Sequence, residues 1–162
     1  MATNYPLPED LSLRIRELEC EVSELKAHVE ALTRFSKAHS TLLVMTVAHV
    51  LEGMSILRYY ANQKDVRIED IEGAFESIGE IQHIYDSCNF IDIRDQITDY
   101  ASRLISCILE LCGQARIGSR ELLQTLKGRF DRETLIRIVD LDDVADSYGL
   151  AEAHAWWHLL HD

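Results

Sequence analysis

The stretch that decides the fold runs from Leu11 to Leu32, LSLRIRELECEVSELKAHVEAL. Its apolar residues Leu11, Ile15, Leu18, Val22, Leu25, Val29 and Leu32 are spaced alternately four and three apart, a seven-residue repeat held for three heptads. At ~3.6 residues per turn this spacing lines a narrow stripe along one helix face, the seam of a coiled coil rather than the broader stripe of a core helix. Ile15, Val22 and Val29 take the a positions, and Leu11, Leu18, Leu25 and Leu32 the d positions. β-Branched a with leucine d favours parallel, two-stranded packing. In a parallel dimer each g residue faces the e residue five positions later on the partner. This pairs Arg14 with Glu19 and Glu21 with Lys26, both of opposite charge, while His28 with Thr33 is neutral. Exposed ion pairs contribute at most ~1 kcal/mol each, so they set orientation while the seam supplies affinity.

Upstream, Pro8, Glu9 and Asp10 suit a helix start, where proline's missing N–H is harmless and acids meet the positive dipole end. No glycine or proline follows until Gly53. The seam weakens at Ser36 and His39, so a break across Ser36–Ser40 is as compatible with the sequence as a continuous helix. From Leu42 to Leu51 apolar residues cover every face, which predicts a helix enclosed by other elements.

The rest reads as shorter helices. One apolar stripe comprises Ile68, Ile71, Phe75, Ile78, Ile81, Ile84 and Tyr85, and a second comprises Ile93, Ile97, Tyr100, Leu104, Ile108 and Leu111, with Asn89 at the turn between them and Gly113 at the end. Ser119 reads as an N-cap for Glu121–Leu126 with Gly128 as its stop, and Asp131 as the cap for Glu133–Leu141. Gly149 separates a short acidic segment from a last helix, Leu150–Leu160. No strand-like alternation is present. The expected fold is all-α: residues 1–40 form the long N-terminal helix of a parallel coiled-coil dimer, and 41–162 an acidic bundle of about four to five helices.

The chain of 162 residues is 47% hydrophobic with two prolines and seven glycines, which excludes disordered and collagen-like classes. Its net charge of -12 opposes binding to phosphate backbones and anionic membranes. That charge is uneven. Residues 1–63 hold 8 acids and 6 bases, 64–100 hold 10 and 3, 101–130 hold 2 and 5, and 131–162 hold 8 and 2. Internal complementarity is the simplest expectation, with Arg116, Arg120, Lys127 and Arg129 near acids of neighbouring helices. The four cysteines, Cys20, Cys88, Cys107 and Cys112, lack disulfide or CxxC spacing, and the N-terminus lacks secretory features. A cytoplasmic protein is expected. Leu42–Leu57 carries His49 and Glu52 and falls short of the ~20 apolar residues of a membrane span, so no membrane partner is expected.

Chemistry-bearing patterns are sparse. His154 and His158, with His161, lie at i, i+4 and i+7 near the C-terminus, and imidazoles on one helix face can ligate Zn, Ni or Cu. The ions would draw a further ligand from a carboxylate such as Glu80 or Asp146. The plainer reading is dipole pairing at a helix C-terminus. Glu80 and His83 have the Glu-x-x-His spacing of di-iron bundles, but no second such pair exists. Asp140, Asp142, Asp143 and Asp146 lack the glycine and glutamate of a calcium loop and read as a solvated acidic turn. No nucleophile elbow, phosphate loop or Cys/His signature is present. Cys20, at heptad position f, should be exposed, and Cys107 and Cys112 buried. Two short helices between Gln114 and Asp140 superficially suit a helix-turn-helix, yet their charge is nearly balanced.

These readings favour a non-catalytic homodimer that binds another protein, as adaptor or inhibitor, and needs no cofactor. In one version it is an acidic mimic that blocks a basic nucleic-acid-binding surface through Asp65, Glu69, Asp70, Glu72, Glu76 and Glu80 or the Asp140, Asp142, Asp143 and Asp146 cluster. The competing classes are a metal-binding protein or enzyme using His154 and His158, and a DNA-binding regulator.

Overall fold

The computed structural model describes residues 9–162, so Pro8 lies outside the described residues. Among these residues the chain is all-α, 87% helical with seven α-helices and no strand. Helix α1 spans Glu9–Tyr60 without interruption through Ser36–Ser40. Six further helices follow where four to five were expected: α2 (Glu72–Ser87), α3 (Ile91–Gln114), α4 (Ser119–Arg129), α5 (Arg132–Ile138), α6 (Leu141–Tyr148) and α7 (Leu150–His161). A single 3₁₀ turn, Ile68–Ile71, leads into α2. The chain divides into two units, Met1–Ser40 and Thr41–Asp162.

In the first unit the described residues are one helix, and its seam residues from Leu11 to Leu32 are exposed. The second unit is built around α3, on which α2, α4, α5 and α6 pack, while α7 packs on α5 and α6. The two stripes legible in the sequence are its core. Ile71, Phe75, Ile78 and Ile81 from one, and Ile97, Leu104 and Ile108 from the other, are all at most 1% exposed. Trp156 of α7 is equally buried, whereas its neighbour Trp157 is 44% exposed. Long-range hydrogen bonds fasten the turns to this core. Ser102 Oγ donates to the Ile138 carbonyl at 2.9 Å, and Tyr148 Oη to that of Ile117 at 2.7 Å.

Within the second unit α1 buries one face only. Counting heptads onward from Leu32 puts Leu43, Thr46, Val50, Gly53 and Leu57 at a and d positions. Of these Thr46, Val50, Gly53 and Leu57 are buried and Leu43 is half-buried. Thr46 tolerates burial because its hydroxyl donates to the Leu42 carbonyl at 2.8 Å. Gly53 is needed for close approach: a Cβ there would lie 2.8 Å from Leu104 Cδ2. The expectation of an enclosed helix is therefore corrected, since Val44, Met45 and Leu51 point away from the bundle and are exposed. Within the second unit the bundle covers one side of α1, and among the described residues Val44, Met45 and Leu51 on the other side are exposed.

Three local readings also change. Ser119 is the first residue of α4 rather than its cap; its hydroxyl bonds Glu152 on α7 instead. Gly128 does not stop α4, which continues to Arg129. The acidic run is not a turn: Asp140 caps α6 by accepting from the Asp142 N–H at 2.9 Å, and Asp142 and Asp143 occupy the first turn. Carboxylates there face the positive end of the helix dipole, which favours helix over solvated turn. Asp131 caps α5 as expected, accepting from the Thr134 N–H at 2.8 Å. Gly149, with φ 96°, makes the sharp junction between α6 and α7.

Candidate interaction surfaces and a histidine pair

The seam residues Leu11, Ile15, Leu18, Val22, Leu25, Val29 and Leu32 stand between 38% and 64% exposed. Arg14, Glu19, Glu21 and Lys26 are exposed beside them, and among the described residues none forms an ion pair within its own chain. Burying an aliphatic side chain fully contributes ~1.5–3 kcal/mol, so an uncovered stripe of seven is a large unmet driving force. Cys20, at position f, is exposed as expected.

The acidic residues of the second unit are divided in role. Glu72 is paired with Arg129, which realises part of the expected internal complementarity. Asp70 accepts from the Arg67 N–H at 2.9 Å, and Asp140 is the α6 cap. Asp65, Glu69, Glu76, Glu80, Asp142 and Asp146 are exposed. Lys127 and Arg132 reach the last carbonyls of α7, at Leu159 and Leu160, instead of acids. A cleft of about 540 Å³ between α3 and α6 is lined by Glu110, Asp143 and Asp146 with Ser106, Gly113, Gln114 and Ser147. Burial pushes the Asp143 carboxyl above its ordinary range; Asp140, Asp146 and Asp142 push the same way, against a hydrogen bond from Ser106. An adjoining cleft of about 230 Å³ shares Glu110 and Gln114 and is otherwise lined by the apolar Met54, Leu57, Ala61 and Leu111 together with Cys107 and the basic Arg58. Glu110 was not singled out from sequence. It sits on the edge of the α3 stripe, and only the packing of α6 brings it near Asp143.

The histidines are positioned by α7. His154 Nε2 and His158 Nε2 lie 3.1 Å apart, and His158 Nδ1 meets Asp162 Oδ2 at 2.8 Å. His161 turns away and stacks on Trp157 at 4.9 Å between centroids. Neither Glu80 nor Asp146 completes the pair: among the described residues no three His, Cys, Asp or Glu side chains converge on a metal position. Glu80 and His83 are both exposed on α2, so that spacing does not face inward.

Other patterns are absorbed by the fold. Cys112 is buried, and burial first, then Glu121, pushes its thiol up to about 12. Cys107, half-buried, is also raised, by burial and then by Glu110 and Asp143. Neither is poised as a nucleophile, since the thiolate is the reactive form. The basic residues of the would-be recognition helix are engaged within the chain: Arg132, itself exposed, bonds the Leu160 carbonyl, and half-buried Arg137 donates to Thr98 Oγ1 at 2.8 Å and lies over the Tyr85 ring. By length and composition alone α1 contains a stretch apolar enough to cross a membrane, with mean hydropathy 1.5 and 22% of it buried. Comparison with protein families, with curated proteins and with solved structures finds no match to this chain.

Proposed function

We propose that the protein is a parallel homodimer, joined along residues 11–32, whose C-terminal helical unit binds a basic protein surface without catalysis. The observation that carries this reading is the uncovered seam from Leu11 to Leu32. Its occupant is a second copy because the residue types at a and d suit a two-stranded coil, and the g and e′ charges pair with their own counterparts. The coil ends before Leu43, since the heptad positions that follow are already taken by the chain's own bundle.

For the partner, the adjoining clefts that share Glu110 offer the carboxylates of Glu110, Asp143 and Asp146 beside a mainly apolar floor that has Arg58 on it. This combination fits a segment carrying Lys or Arg next to aliphatic residues. The reading as an acidic mimic of nucleic acid draws on Asp65, Glu69, Asp70, Glu72, Glu76 and Glu80 or on the Asp140, Asp142, Asp143 and Asp146 cluster, of which Asp143 and Asp146 line the first cleft. A cytoplasmic location agrees with free cysteines and with the bundle's hold on α1; the protein then stays in solution without detergent, and a requirement for detergent would contradict it.

Light scattering tests the dimer. Wild-type protein should have twice the chain mass, and Val22→Glu with Leu25→Glu should have the mass of one chain while keeping its helical spectrum. A wild-type mass of one chain, or an unchanged mass in the variant, would overturn the reading.

A further inference from the structure

We infer that His154 and His158 form a two-imidazole site for a divalent transition metal of the Zn²⁺, Ni²⁺ or Cu²⁺ class, with Asp162 as the positioning residue behind it. The site lies on α7, uses none of the seam or cleft residues, and does not rest on the dimer or on a basic partner.

The geometry carries the assignment. Two nitrogens each ~2.0–2.1 Å from one ion, at an angle between about 90° and 109°, stand about 2.8–3.4 Å apart. The observed Nε2–Nε2 separation of 3.1 Å falls inside that range. The ring centroids are 4.5 Å apart, so the rings converge at their Nε2 ends, and they cross at 84°. An i, i+4 spacing on one helix holds this convergence without any long-range contact.

Asp162 supplies the remaining feature of a ligating histidine. Its carboxylate accepts the Nδ1–H of His158, which fixes the tautomer whose Nε2 carries a free lone pair. Without metal, that lone pair accepts the Nε2–H of His154. When the ion binds, His154 takes its other neutral tautomer, moving the proton to Nδ1, so both Nε2 lone pairs face the ion and no oxidant or reductant is needed. No third protein ligand is present among the described residues. Water or a group from another molecule fills the remaining positions, as in sites that keep open coordination. Imidazole donors select this metal class over Mg²⁺ or Ca²⁺, which take oxygen ligands.

Calorimetric titration of untagged full-length protein with NiCl₂ and with ZnCl₂ tests the site. One ion per chain is expected, with affinity reduced at least tenfold in His154→Ala and in His158→Ala. Asp162→Asn should weaken binding about tenfold while leaving the stoichiometry unchanged. Because Trp157 lies 5.1 Å from His158, Cu²⁺ should quench its fluorescence in wild type and not in His158→Ala. Binding should weaken on acidification, since protons compete for the same lone pairs. Absence of binding in wild type, or wild-type affinity in either histidine variant, would overturn the assignment.

Discussion

Gly53 of α1 lies directly against Leu104 of α3, so close that a Cβ on the glycine would stand 2.8 Å from Leu104 Cδ2 and 3.3 Å from Ser77 Cβ. Leu104 is fully buried, so its methyl groups have little room to give. Alanine gains ~1 kcal/mol of helix propensity over glycine, against an overpacking cost of ~1–3 kcal/mol. Gly53→Ala should therefore lower stability by about 1 kcal/mol, and Gly53→Val by clearly more. Urea unfolding measures both; a Gly53→Val protein as stable as wild type would show that α1 is not docked at this point.

Asp131 is held below the ordinary carboxylate range, chiefly by a hydrogen bond from the Thr134 side chain and then by the Thr134 N–H. A lowered folded pKa contributes stability above the unfolded value of ~3.9 and loses it as the pH falls through the folded value. Asp131→Ala should cost about 1 kcal/mol at neutral pH, as loss of an N-cap does. The difference from wild type should close as the pH drops below ~4. Thermal unfolding across that interval is the check, and a pH-independent difference would contradict the capping role.

Asp143 has the opposite sign. Burial and the carboxylates around it raise its folded pKa, so its contribution is most favourable below the unfolded value of ~3.9 and is lost as the pH rises through the folded value. Asp143→Asn should raise stability at neutral pH by a few tenths of a kcal/mol, a size typical of half-exposed charges. The gain should vanish in acid. A gain that persists at low pH would show that the amide acts through packing and not through charge.

Arg137 joins α5 to α2 and α3. Its guanidinium centre lies 3.5 Å from the Tyr85 ring centroid, one nitrogen bonds Thr98 Oγ1 at 2.8 Å and another bonds Gln82. Removing it strands a half-buried hydroxyl and an amide, and charged hydrogen bonds contribute ~1.5–3 kcal/mol. Arg137→Ala should lower stability by about 2 kcal/mol, and Arg137→Lys by nearly as much because lysine lacks the planar fork. Chemical denaturation distinguishes these; a lysine variant equal to wild type would reduce the contact to simple charge.

The all-α class and the two core stripes were legible because burial repeats with the helical period at Phe75, Ile78, Ile97 and Leu104, a signal that needs no partner. Asp131 was legible as a cap because an N-cap bond is made three residues away. What failed depended on tertiary packing. Ser119 has the chemistry of a cap, yet Glu152 on a distant helix takes its hydroxyl. Leu42–Leu51 is apolar all round, yet only one face of α1 meets the bundle. The His154 and His158 spacing was visible, but its carboxylate partner turned out to be Asp162 and not Glu80 or Asp146, since the i+4 position from His158 is nearer than any residue the fold could deliver. Glu110 went unnoticed because a cleft exists only where two helices meet.

The central claim is the parallel pairing of two α1 helices, and a distance between spin labels tests it most directly. A single label belongs at Arg34→Cys, with Cys20 and Cys107 replaced by serine. Position 34 is at f, outside the seam and near the end of the repeat. In a parallel dimer the two labels sit at the same level, about 20–25 Å apart across two helices each ~10–12 Å wide. In an antiparallel dimer centred on the same seam, the ~1.5 Å rise per residue separates them by about 40 Å or more. The account predicts the short distance, and the long distance, or no pairwise distance, would contradict it.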